Sequence, residues 1–98
     1  METYYLEFKV KPFESNPLNE GLAGALAFVW VVEKTPERAQ QRAEHYLSEY
    51  QWEILSMEQS AIVTNAEHFA QRDIGLQNYN KAQKYGIAVV FSAWEKES

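Results

Sequence analysis

The sequence predicts an α+β fold, a two-layer sandwich with two helical regions on one face of a four-stranded sheet, in the order β-β-α-β-α-β. Three stretches carry that expectation. Thr3–Pro12 alternates polar and apolar residues with period two. Gly24–Gln59 reads as one strand, helix and strand unit, and Ile87–Trp94 is an apolar run that follows a second helical pattern.

In the first strand, Tyr4, Leu6, Phe8 and Val10 fall on one face and Tyr5, Glu7, Lys9 and Lys11 on the other. The charged face and Pro12 suit an exposed side or a sheet edge. Phe13–Gly24, rich in Asn, Pro and Gly, is expected to be a long loop pinned by Phe13, Leu18 and Leu22, with ligand gating as the alternative role. The second strand, Ala25–Lys34, is apolar on both faces: Leu26, Phe28, Trp30 and Val32 against Ala25, Ala27, Val29 and Val31. A central strand covered on both sides reads this way.

Thr35 is the expected N-cap of the first helix, with Pro36 at its first position and Glu37 at the positive end of its dipole. Ala39, Ala43, Tyr46, Leu47 and Tyr50 form one apolar stripe, leaving Arg42 and Glu49 to solvent. A third strand opens at Trp52, and residues 52–63 form either one strand bent around Glu58-Gln59-Ser60 or two. Asn65 is the expected cap of a second helical region carrying Ala66, Phe69, Ala70, Leu76, Tyr79 and Ala82, read as either two short helices or one with a break near Asp73–Gly75. Gly86 is placed to end that region in a left-handed conformation. The last strand is again apolar on both faces, Ile87, Val89, Phe91 and Ala93 against Ala88, Val90 and Trp94. This set of elements resembles ferredoxin-like domains in architecture, although their usual order is β-α-β-β-α-β.

Ninety-eight residues suit one α+β domain, 1–98. There is no cysteine, which excludes disulfides, zinc–thiolate sites and thiol catalysis and is compatible with a reducing, cytoplasmic setting. No basic, apolar leader precedes the first strand, and the apolar run at residues 22–32 is too short to span a bilayer, so no membrane partner is expected. The net charge of −5 weighs against nucleic acid, whose phosphates demand clustered cations, and is compatible with a basic protein partner. Gly24–Val31 resembles the RNA-recognition-motif strand in its Ala27-Phe28-Val29 core. It lacks the basic residue, and Leu26 and Val31 stand where that motif stacks bases on aromatics.

No catalytic residue, cofactor site or metal site is legible. His45 and Glu49 lie four apart on one helix, but two ligands do not make a metal site, and His68 beside Glu67 reads as solvated. There is no nucleophile elbow and no phosphate-binding glycine loop. The feature that needs explaining is apolar strand surface in excess of what two helices on one face would cover. It points to Trp30, Phe28, Trp94, Phe91 and Tyr79 as interaction or pocket residues. The expected function is a small non-catalytic binding module that forms a homodimer through its sheet. The alternatives are an acidic inhibitor or immunity-type protein for a basic enzyme, and a small dimeric enzyme with an aromatic pocket.

Overall fold

A computed structural model describes residues 1–69 and 73–97. Four strands, β1 (Glu2–Pro12), β2 (Leu22–Glu33), β3 (Trp52–Thr64) and β4 (Ile87–Glu95), form one antiparallel sheet in the spatial order β3-β1-β2-β4. Helix α1 (Pro36–Glu49) connects β2 to β3, and α2 (Asp73–Tyr85) leads into β4. Short 3-10 turns lie at Pro17–Glu20 and Ala66–Phe69. Ala70, expected within the second helical region, lies outside the described residues.

The two helices lie on opposite faces of the sheet, which corrects the expected two-layer, ferredoxin-like arrangement. Alternation separates the faces. Tyr4, Leu6, Phe8 and Val10 of β1 and Ala25, Ala27, Val29 and Val31 of β2 are buried with Ala39, Ala43 and Leu47 of α1. Residues of the other parity, Trp30 and Ala88, are buried with Ala82 of α2, and Tyr5, Phe28, Val32, Tyr79 and Val90 pack around them. Gln83 of α2 donates to Thr3 Oγ1, on the same face as Tyr5. The physical reason is that both faces of β2 are apolar, so each face needs its own cover.

Helix α1 begins as its sequence dictates. Thr35 is extended and its hydroxyl accepts the Arg38 N–H at 3.1 Å, while Pro36 occupies the first turn. The two alanines bring the helix close to the sheet, and Leu47 fills the space beyond them. Tyr50, expected in the stripe, is exposed and packs against Tyr46 with the rings tilted and their centroids 4.6 Å apart. Arg42 is not simply solvated: it donates to the Val32 carbonyl at 3.2 Å and lies 3.7 Å from Glu33.

Helix α2 opens at Asp73 after the turn at Ala66–Phe69, as two helical pieces would, runs on through Gly75, and buries Gly75, Asn78 and Ala82. Its C-terminus closes as predicted, with Gly86 at φ 87° and its N–H on the Ala82 carbonyl at 2.7 Å. The β1–β2 connection is shorter than expected and is held by polar contacts. Asn16 caps the 3-10 turn through Leu18 N–H and donates to the Gln51 carbonyl at 3.1 Å, while Phe13 and Leu18 are exposed.

Strand position also departs from expectation. β1, with its charged face, is central and pairs with both β2 and β3. β4, apolar on both faces, is an edge strand bonded only to β2. β3 is one continuous strand, and its thirteen residues meet the shorter run Thr3–Pro12 through three register shifts, one of them at the expected Glu58 region.

Candidate interaction surface

Four of the five residues singled out by sequence, Trp30, Phe28, Trp94 and Tyr79, belong to the α2 side of the sheet. Phe91 has the opposite parity and stacks on Trp52 at 4.6 Å on the α1 side. The five therefore do not converge on one aromatic pocket. Trp30 is 3% exposed, covered by α2 and packed against the Tyr5 ring at 5.0 Å. Burying an aromatic of that size removes roughly 150–250 Å² from water, on the order of 4–6 kcal/mol. The expectation that neither helix would cover this face is thus corrected for its Trp30 end.

The cover stops partway along the strands. Beyond Phe28 and Val90 the face continues through Leu26 and Gly24 on β2, Ser92 and Trp94 on β4, and Glu7, Lys9 and Lys11 on β1. Leu26, Phe28 and Val90 are half-buried, and Trp94 is 40% exposed. Gly24 sets the position of that indole. A Cβ at residue 24 would lie 2.5 Å from Trp94 Cζ2 and 3.0 Å from the Val10 carbonyl, so only glycine lets the ring settle onto the backbone. Lys9 Nζ stands 6.0 Å from the ring centroid. Leu26 and Gly24 escaped the sequence reading. A glycine inside an apolar strand was the signal for a close approach.

The outer edge of β4 adjoins this surface. Val32 N–H bonds to the Gly86 carbonyl at 2.9 Å, which fixes the alternation along β4. Ala88, Val90, Ser92 and Trp94 exchange hydrogen bonds with β2, and the N–H and C=O groups of Ile87, Val89, Phe91 and Ala93 point away from the sheet.

An open groove of about 1060 Å³ lies at the far end of the sheet, with Lys11, Glu14, Ser15, Gln51, Glu53 and Lys96 among its lining. Its charges are mixed, Lys11 and Glu53 lie 3.8 Å apart, and Ser15 donates to Gln51. Phe13 and Leu22 of the long connection line it, and none of Trp30, Phe28, Trp94, Phe91 and Tyr79 does. His45 pairs with Glu49 at 3.0 Å on the exposed side of α1, and His68 Nδ1 shares a hydrogen bond with Thr64. Among the described residues no three His, Cys, Asp or Glu cluster to hold a metal ion, and no helix is long and apolar enough to cross a membrane. Comparison of the chain with protein-family models, curated proteins and solved structures finds no match.

Proposed function

We propose that this chain is a small non-catalytic binding module that associates with a second copy of itself through its sheet. The observation that carries the reading is Trp94, held half-exposed on Gly24 at the end of the sheet face that α2 leaves bare. Leu26, Phe28 and Val90 continue the apolar surface beside it. Surface of this kind at a fixed position marks an interface, and symmetric pairing is the commonest way a small chain covers it. Glu7 and Lys9 on the same face give a two-fold contact opposite charges to match.

Sedimentation across the micromolar range tests the reading, with a concentration-dependent dimer as the expected result. Ser92→Glu, exposed on the bare face beside Trp94, should give a folded monomer, whereas Val90, packed in the α2 cluster, and Val31, fully buried under α1, are the wrong positions for such a probe. A wild-type chain that stays monomeric throughout that range contradicts the proposal.

A further inference from the structure

We infer that β4 is the pairing element, and that a second copy of this chain adds its own β4 antiparallel to it, joining two sheets into one. The inference rests on the self-association reading above and specifies its surface. β4 combines two properties that rarely coexist. It has the composition of an interior strand, with no charged residue and no proline from Ile87 to Trp94. It also sits at the edge of the sheet with a row of outward backbone groups. Edge strands are ordinarily blunted by charge, proline, bulges or a covering element. The other edge of this sheet, β3, carries Glu53, Glu58 and three register shifts. Along β4 the register is unbroken from Gly24↔Trp94 to Val31↔Ile87.

The occupant follows from the symmetry of the edge. An antiparallel pair about a two-fold axis places Ile87 opposite the partner copy's Ala93 and Val89 opposite its Phe91, and this register uses every outward N–H and C=O between residues 87 and 93. The ends of the strand are complementary in charge. Lys81 and Lys84 precede β4 in the last turns of α2, and Glu95 and Glu97 flank Lys96 where it finishes. Antiparallel pairing sets the net positive end against the net negative one, although the whole chain carries −5. The same register brings Trp94 beside Gly86 and Tyr85 of the second copy. Tyr85 is 63% exposed and Trp94 40%, so two exposed aromatics meet at each end of the joined strands.

Sedimentation of the full chain with two donor-deleting variants tests this. Val89→Pro removes an outward N–H and leaves the β2–β4 ladder in place. A semisynthetic chain joined at Ala82 and N-methylated at Val89 removes the same donor without altering any side chain. Each should remain folded by circular dichroism and weaken the dimer at least about tenfold, since the change acts twice across the axis. Lys81→Glu together with Lys84→Glu should weaken the dimer, and combining the two with Glu95→Lys and Glu97→Lys should restore it. If Val89→Pro does not fold, the N-methylated chain decides. A wild-type dimer that both Val89 changes leave intact overturns edge pairing and leaves face-to-face association standing. A wild-type monomer, or a chain that pairs only with an added foreign peptide, overturns both.

Discussion

The two edges of this sheet are built on opposite plans. β3 exposes more large apolar side chain than β4, with Leu55, Met57, Ile62 and Val63 all open to solvent. It nevertheless makes a poor template for another strand. Its backbone slips against β1 near Ala61, at Glu58 and at Leu55, and each slip breaks the even spacing of the outward hydrogen-bonding groups. β4 is shorter, straight in register and uncharged from Ile87 to Trp94. The comparison teaches that edge protection is a property of backbone regularity before it is a property of hydrophobicity. Apolar area on a bulged edge is area without an aligned ladder.

The largest expected effect lies on the β3 side, where α1 packs. Leu47→Ala removes a fully buried side chain and should cost about 2–5 kcal/mol in denaturant melts. A loss below about 1 kcal/mol would mean that α1 contributes little to holding that half of the sheet. Next comes a proline pair that separates the inner and outer sides of β4. Val90→Pro deletes a donor used by β2 and should cost roughly 1–3 kcal/mol more than Val89→Pro at concentrations where the chain is monomeric. Equal losses would erase the assigned alternation.

Gly24 and Gly21 form a second pair. Gly24→Ala forces its new methyl into Trp94 and should cost about 1–3 kcal/mol. Nothing lies within 4 Å of a Cβ at Gly21, so Gly21→Ala should stay within about 0.5 kcal/mol. A Gly24→Ala chain as stable as the wild type, with unchanged tryptophan emission, would show that the indole does not rest where it is placed.

The smallest effect is ionic. Burial, and then the neighbouring Tyr50, raise the pKa of Tyr46 above its ordinary value. A raised folded-state pKa gives a contribution that is complete below the unfolded pKa and is lost as pH climbs through the folded one, so stability should decline above about pH 10. Tyr50→Phe should bring Tyr46 back toward its ordinary value in an ultraviolet titration, and an unchanged midpoint would remove Tyr50 as a cause.

Much of this was legible from residue types. The strand at Glu2–Pro12, the Thr35 cap, the buried stripe of Ala39, Ala43 and Leu47, and the left-handed Gly86 all follow from local chemistry, and the structure shows each. Strand order did not follow. Alternation reports whether the faces of a strand are covered, but not whether it has one neighbour or two. The charged side of β1 read as an exposed side or an edge; Lys9 and Lys11 are exposed, but the strand is central and α2 half covers its outer face. β4 read as apolar on both faces, a pattern that says nothing of its place in the sheet, and it is an edge.

The candidate surface divides along the same line. Phe91 and Trp94 are three residues apart on a strand, a spacing that puts them on opposite faces, and the structure does so. Trp30 and Phe28 are two apart and share one. What no residue pattern announced is that α2 crosses to the other side of the sheet. That choice is made by long-range packing of Ala82 and Tyr79 against the Trp30 end of the sheet, with no local signal in the helix itself.

The most direct test of the open β4 edge is amide hydrogen exchange along β4, read residue by residue at low and at high protein concentration. Dilute chain should show alternation, with Ala88, Val90 and Ser92 protected by β2 while Ile87, Val89, Phe91 and Ala93 exchange freely. At high concentration the free set should gain protection and the alternation should disappear. Uniform protection in dilute solution, or outward amides that stay fast at every concentration, would contradict the account.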